Sequence, residues 1–145
     1  MPTALDILST KGSLVHRIEP QATVLAAINK MNQHKLGALI VEQQGRIAGM
    51  FTERDVLRRV VGERLDPSTT TVAQVMTSDV ICVGPTTDID EIGAIMQQRR
   101  IRHLPVCDKD NELLGLISMG DVNAFHSSHQ EAHIQFLSEY IYGRA

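Results

Sequence analysis

The chain spells nearly one message twice. Landmarks that run from Val15 to Val56 return in the same order between Val80 and Val122. Pro20 recurs as Pro85, Val24 as Ile89, Met31 as Met96, Leu39 as Leu104 and Val41 as Val106, at a constant spacing of 65 (85 − 20, 106 − 41). One extra residue in the second copy then lengthens the spacing to 66, which aligns Gly49 with Gly115, Thr52 with Ser118, Asp55 with Asp121 and Val56 with Val122. A half of roughly 50 residues buries too little surface to be secure alone, whereas two stacked copies share a core and leave a pseudo-symmetric cleft between them.

Within each copy the apolar period changes in the order strand, helix, strand, strand, helix. In the first, Val15 to Ile18 reads as a short strand stopped by Pro20, and Val24, Ala27, Ile28 and Met31 fall at helical spacing between a capping Thr23 and His34. Leu39 to Val41 and Ile47 to Phe51 read as strands around a hairpin turn at Gln43-Gln44-Gly45, and Thr52 opens a helix through Val56, Leu57 and Val60. The second copy predicts a strand at Val80 to Val83, a helix from Asp88 to Arg99, strands at Leu104 to Cys107 and Leu113 to Ile117 around a turn at Asp108 to Asn111, and a helix from Ser118. The class is α+β with α/β-like alternation, each copy a small sheet packed with two helices.

The expected organisation is a first repeat at 5–62, a linker at 63–71, a second repeat at 72–126 and a helical tail at 127–145. Val72 to Met76 reads as a lead-in helix to the second copy, and Leu5 to Leu8 as its counterpart for the first. Ile134, Leu137 and Ile141 share one face of the tail, an apolar stripe that needs a partner. Met31 and Met96 sit at core-facing positions and are read as packing.

Composition excludes several classes. Fourteen Lys and Arg against 17 Asp and Glu, a net charge of −3, supply no basic field for nucleic acid or an anionic membrane. Cys82 and Cys107 are too few for a disulfide framework and lack C-x-x-C spacing, so they read as reduced, mostly buried thiols. Met1 to Leu14 carries no basic leader and no stretch approaches a membrane span, which predicts a cytoplasmic protein.

The chemistry concentrates in Gly49-Met50-Phe51-Thr52-Glu53-Arg54-Asp55 and Gly115-Leu116-Ile117-Ser118-Met119-Gly120-Asp121. Each is a glycine, two apolar strand residues, a hydroxyl residue, two variable residues and an aspartate. One reading is structural: Thr-x-x-Asp and Ser-x-x-Asp are capping boxes, in which the hydroxyl satisfies a helix amide and the acid suits the positive end of the dipole. The other reading is functional. A helix start with a hydroxyl and free amides suits phosphate, and a carboxylate one turn in can accept two hydrogen bonds from a ribose diol. Occurrence twice, at the same junction of a duplicated unit, favours a nucleotide.

These motifs, the P-x-x-x-h…M…h-h-V spacing before them, and Arg102-His103-Leu104-Pro105-Val106 resemble a tandem pair of CBS domains, a Bateman module, over roughly residues 5 to 126. The F-T-E-R-D-V and I-S-x-G-D-V endings resemble those of small stand-alone bacterial CBS-pair proteins. The resemblance implies a pseudo-twofold sandwich whose clefts bind AMP, ADP, ATP, NAD(H) or S-adenosylmethionine, and a homodimer packed through helices. It implies that Asp55 and Asp121 hold ribose hydroxyls and that Thr52 and Ser118 meet phosphate. Ala38 and Ile40 in copy one, with His103 and Pro105 in copy two, would line the adenine slot. Since aromatic residues are only 3% of the chain, the base would meet aliphatic walls at Ile18, Ile40, Val83 and Val106. Arg54 and Arg102 are the expected phosphate cations, within a wider set of Arg99, Arg100 and His103. Met119-Gly120 replaces Glu53-Arg54 in copy two, so its motif supplies no cation and the two sites are unequal.

Other constellations are weaker. His126, His129 and His133 stand three and four apart, a zinc-like spacing, but no acid or cysteine completes a set, and a solvated helix face is the expectation. His103 has no nucleophile or paired acid in a recognisable catalytic pattern. The expected function is a non-enzymatic, adenine-nucleotide-binding sensor that signals by conformational change to an unidentified regulated protein, with no catalytic residue, metal or catalytic cofactor. The alternatives are a ligand-free dimeric scaffold, in which the motifs only cap helices, and a metal- or nucleotide-dependent enzyme.

Overall fold

The turn chemistry and helix caps written into the two copies build matching elements. The computed structural model describes residues 1–128; the expectations for the tail beyond that point, including His129, His133, Ile134, Leu137 and Ile141, lie outside the described residues. In chain order the elements are α1 (Ala4–Lys11), β1 (Arg17–Ile18), α2 (Val24–His34), β2 (Ala38–Gln43), β3 (Arg46–Thr52), α3 (Glu53–Asp55), which continues as a π-helix (Val56–Val61), α4 (Val72–Val75), α5 (Ile89–Arg99), β4 (His103–Cys107) and β5 (Leu113–Ser118). A further helix, α6, covers 119–128. The mixed α+β class is as expected.

Two compact units result: Leu14–Cys82 with Asn111–Leu113, and Met1–Ser13 with Val83–Asp110 and the described residues from Leu114 onward. In the first, β1 pairs parallel to β2 and β2 antiparallel to β3, so that Arg17 faces Ile40 and Ala38 faces Thr52. The hairpin closes through Gln44 (φ 53°) and Gly45 (φ 77°), a two-residue turn with both angles positive whose twist matches the strands. Val24, Ala27 and Met31 of α2 pack on Leu39, Val41 and Phe51, joined by Val60, Val72 and Val75. Thr23 caps α2 by accepting the Ala26 N–H at 3.1 Å. In the second unit Asp88 does the same for α5 through the Asp90 N–H at 2.9 Å, and Ile89, Ile92 and Met96 are buried. Both helices end on a residue in the left-handed region, Lys35 (φ 55°) and Arg100 (φ 56°). The expected packing roles of Met31 and Met96 hold, and Cys107 is buried while Cys82 is half-buried, neither in a disulfide.

Three expectations change. The strand at Val15 to Ile18 is only Arg17–Ile18, and the one at Val80 to Val83 contracts to a single parallel bridge between Val83 and Val106; Pro85 and Gly84 leave too few residues for a ladder. The helix from Thr52 widens into π geometry after one turn. The lead-in helices are exchanged: α4 packs in the unit of the first copy, and α1 in the unit of the second, not with the copy that it precedes.

Hydrogen bonds explain the exchange. A helix start has amides with no acceptor in its own helix. In α4, Val72 N–H donates to the Ala22 carbonyl at 2.8 Å and Ala73 N–H to that of Pro20 at 2.9 Å, while Val24 N–H of α2 donates to Thr70 at 2.8 Å. The same three bonds recur in the other unit as Ala4 to Thr87 (2.9 Å), Leu5 to Pro85 (3.0 Å) and Ile89 to Pro2 (3.1 Å). Thr3 and Thr71 each donate a backbone N–H to a side chain three residues on, Asp6 (2.7 Å) and Gln74 (2.8 Å). The lead-in segments are therefore themselves a repeat, at a spacing of 68 (71 − 3).

The motif glycines answer to the same contact. A Cβ at Gly49 would lie 2.6 Å from the Thr77 carbonyl oxygen, whereas one at Gly115 would meet the Leu8 side chain, with its Cδ2 at 2.5 Å. Backbone cannot move there without breaking the Met50–Thr77 bridge, but a leucine end can rotate. Gly49→Ala is expected to cost about 3 kcal/mol and Gly115→Ala about 1 kcal/mol, read by urea unfolding. Equal costs would show that the two contacts are not distinguished by backbone.

Candidate functional site

Each motif places its hydroxyl residue at the end of a strand and its aspartate one turn into a helix. Thr52 is extended (φ −125°, ψ 166°) and caps reciprocally. Asp55 N–H donates to Thr52 Oγ1 at 3.3 Å, while Thr52 N–H and Oγ1–H donate to Asp55 Oδ2 at 3.0 and 3.2 Å. The first helix amide, of Glu53, donates to the Gly37 carbonyl at 3.1 Å. Asp55 is only 4% exposed, and its other oxygen, Oδ1, accepts from the Thr77 hydroxyl at 3.0 Å. Arg59 stands 3.8 Å from Oδ1 and donates to the Met76 carbonyl at 2.8 Å, so it ties the end of α4 to the carboxylate.

The second junction repeats the cap. Ser118 N–H donates to Asp121 Oδ2 at 2.8 Å, Asp121 N–H donates to Ser118 Oγ at 3.1 Å, and Met119 N–H donates to the Arg102 carbonyl at 2.8 Å. Its support differs. Lys11, the last residue of α1, donates through Nζ to Asp121 Oδ2 at 2.7 Å and to the Leu116 carbonyl at 2.8 Å. In the other unit the carbonyl of Met50, which corresponds to Leu116, takes the Thr77 N–H at 2.9 Å instead. One ammonium thus does for Asp121 and Leu116 what the backbone and hydroxyl of Thr77 do for Asp55 and Met50. The Asp121 side chain keeps 22% of its surface exposed.

Burial pushes the Asp121 carboxyl up. The hydrogen bond from Lys11, the Ser118 N–H, the charge of Lys11 and the Ser118 hydroxyl together outweigh it and hold the group below the ordinary carboxylate range.

The twelve residues expected to bind ligand divide evenly. Ile18, Ala38, Ile40, Thr52, Arg54 and Asp55 belong to one unit, and Val83, Arg102, His103, Pro105, Ser118 and Asp121 to the other. Within the first, β1 and β3 flank β2, which sets Ala38 opposite Thr52. In the second, Val83 N–H donates to the Pro105 carbonyl at 3.0 Å beside the β4–β5 sheet. Ile40 and Val106 are fully buried, and Ala38, Val83 and Pro105 nearly so. Ile18 and His103 are half-buried, while Arg54 and Arg102 are exposed. Lys11 and Thr77 were missed because the lead-in segments contact the opposite copy, and Arg59 because it lies one turn beyond the motif; the 68-residue spacing of Thr3 and Thr71 marks the lead-ins as a repeat but does not name their partners.

Among the described residues no group of three or more His, Cys, Asp or Glu is placed to hold a metal, and His126 lies 3.7 Å from Asp90. No helix among them is long and apolar enough to cross a membrane.

A duplicated strand–helix unit with an exchanged lead-in and a hydroxyl–carboxylate junction in each half defines a paired-repeat module. A family model for the CBS domain matches residues 4–62 and 72–126, and the chain belongs to that family. It is 31% identical over 132 residues to the CBS domain-containing protein YhcV of Bacillus subtilis (strain 168), covering 91% of each chain. The structure of the CBS-domain containing protein ATU1752 from Agrobacterium tumefaciens superposes with a TM-score of 0.80 at 32% identity, over 86% of this chain and 98% of that one. The CBS domain pair of protein MJ0100, solved in complex with 5-methylthioadenosine and S-adenosyl-L-methionine, shares the fold with a TM-score of 0.78 at 18% identity, over 89% of this chain and 98% of its own.

The depressed Asp121 carboxyl makes stability pH-dependent in a fixed direction. Its contribution is complete above the unfolded value of about 3.9 and is lost as pH falls through the lower folded value. Lys11→Met is expected to cost about 1 kcal/mol at neutral pH, and the gap from the parent protein to close as pH drops below about 4. Urea unfolding across that range reads it; a gap independent of pH would exclude the ion pair as its source.

Proposed function

We propose that the chain is a cytoplasmic, homodimeric regulatory module, without catalytic activity, that takes an adenosine-containing ligand such as AMP, ADP, ATP or NAD(H) and passes its ligand state to a regulated protein. The carrying observation is the pair of junctions at which a hydroxyl accepts the amide of the aspartate one turn into the helix, at 3.3 Å in the first and 3.1 Å in the second, while that aspartate's carboxylate accepts the hydroxyl residue's own N–H. Thr52 and Ser118 are the phosphate-facing hydroxyls, Asp55 and Asp121 the ribose acceptors, and Arg54 and Arg102 the exposed cations for phosphate. The base lies against backbone edges beside Ile18, Ala38, Ile40, Val83, His103 and Pro105, since most of these side chains are buried. The adenosine compounds held by the MJ0100 pair support this ligand class for the fold. Leu57 and Val61, 66% and 64% exposed, give the helix after the first motif an apolar face suited to self-association.

One observation favours a second reading, a scaffold whose motifs only cap helices: both oxygens of Asp55 are already engaged by neighbours. Thermal denaturation with AMP, ADP, ATP, NAD, NADH, S-adenosylmethionine and GMP separates the two. A ligand at 100 times its Kd adds about 2.7 kcal/mol, which raises Tm by several degrees in a protein of this size. The expected result is a rise with adenosine compounds and none with GMP. No rise at millimolar nucleotide, in protein shown to be ligand-free, would establish the scaffold.

A further inference from the structure

The two junctions are chemically unequal, and the inequality assigns them different roles. Asp55 is closed off by burial: Oδ2 takes two donors from Thr52, Oδ1 takes the Thr77 hydroxyl with Arg59 3.8 Å away, and only 4% of the residue is exposed. At Asp121, Ser118 N–H and Lys11 Nζ both bind Oδ2, the Ser118 hydroxyl also bonds the carboxylate, and the side chain keeps 22% of its surface exposed. A carboxylate offers about four lone-pair positions over its two oxygens, so Oδ1 of a side chain with surface still exposed remains able to accept from a diol.

Lys11 brings something that the second motif lacks. Met119 and Gly120 stand where the first motif has Glu53 and Arg54, and neither carries charge. The Lys11 ammonium has three hydrogens, of which two are used, on Asp121 and on the Leu116 carbonyl. It sits within one hydrogen bond of the aspartate that shares a cap with the Ser118 hydroxyl. The amide of Gly120, like others at a helix start, has no acceptor in its own helix and no side chain of its own to screen it. A positive charge and a hydroxyl at a helix start, beside a diol acceptor, suit a nucleoside that carries a phosphate better than one that does not.

Resting on the reading of the chain as an adenosine-ligand module, we propose that the Ser118–Asp121 junction is the one that takes ligand, and that Lys11 of the N-terminal helix is its specificity-determining residue, which makes it select phosphorylated adenosine over adenosine. One nucleotide then binds per chain, which narrows the two junctions of the proposed function to the second. The cation comes from outside the repeat's own motif, delivered by the exchanged lead-in helix.

Isothermal titration with AMP and with adenosine, on the parent protein, Lys11→Met, Lys11→Arg and Asp121→Asn, tests this. The expected results are one AMP per chain, a Kd for AMP weakened about tenfold or more in Asp121→Asn, and a similar loss in Lys11→Met with adenosine changed less than about twofold. Lys11→Arg restores the preference for AMP. Amide spectra, recorded with AMP, are expected to shift at Ser118 to Asp121 and Lys11 and not at Thr52 to Asp55, a readout that needs no variant to fold. Binding that survives Asp121→Asn, or shifts confined to Thr52 to Asp55, overturns the assignment of the junction while leaving the module reading intact. Equal weakening of AMP and adenosine in Lys11→Met overturns the selectivity and leaves Lys11 as a positioning residue. No heat with either compound on the parent protein overturns the module reading itself and this proposal with it.

Discussion

The bond between a lead-in helix and the proline-bearing segment of a repeat organises everything else. Pro20 and Pro85 have no N–H to give to a ladder, but their carbonyls, with those of Ala22 and Thr87, accept the first amides of α4 and α1. Each unit is thereby assembled from segments distant in the sequence, Met1–Ser13 with the second copy and 72–82 with the first. The motif glycines follow from this, because the lead-in runs against β3 or β5 so closely that a Cβ would collide. The carboxylate partners follow as well, because residues at or just beyond the ends of the lead-in helices, Lys11 and Thr77, are the ones delivered to Asp121 and Asp55.

Duplication preserved this frame while the chemistry at its two ends diverged. α4 stops at Val75, and Met76 is extended (ψ 158°), so Thr77 can bridge Met50 through its backbone and reach Asp55 through its hydroxyl. α1 runs on to Lys11, ends against Gly12 (φ 94°), and replaces both contacts with one ammonium. A hydroxyl neutralises no charge, and Arg59 completes the first arrangement from the π-helix that follows the motif. That helix widens immediately after Asp55, where the arginine must reach back toward the end of α4. Two carboxylates with identical caps thus end in different electrostatic settings.

The fold was legible because its signals are local. Thr23 and Asp88 before apolar runs, Gln44-Gly45 between two strands, and the recurrence at 65 and 66 residues each fix an element within a few residues of itself. Val80 to Val83 misled because β-branched residues mark a pleated surface, and only one pairing partner was near enough to form a bridge. At the site, the caps were readable as Thr-x-x-Asp and Ser-x-x-Asp, and they form in both copies. The burial of Ile40 and Val106 was not, since a short apolar strand looks the same whether its face meets a ligand or a helix. Lys11 lies 110 residues from Asp121, and no periodicity links residues across an exchanged segment.

On the proposed ligand reading, that exchange bears on how the two junctions would respond. Lys11 is two residues from the point where the chain passes from one unit to the other at Ser13 and Leu14, and Thr77 precedes the second such passage at Cys82 and Val83. A donor approaching Asp55 meets a carboxylate only 4% exposed whose Oδ1 already holds the Thr77 hydroxyl, whereas at Asp121 it can approach a side chain 22% exposed while Lys11 keeps Oδ2. Under the proposed function, a ligand at the first junction would have to displace a lead-in contact, whereas one at the second would not. A ligand shifts a population only by its differential affinity for the two arrangements. A buried carboxylate that must surrender a hydrogen bond makes that difference unfavourable, and a half-open one beside a fixed ammonium makes it favourable. If the chain takes ligand as proposed, the duplicated frame thus has one junction suited to holding the fold and one suited to responding.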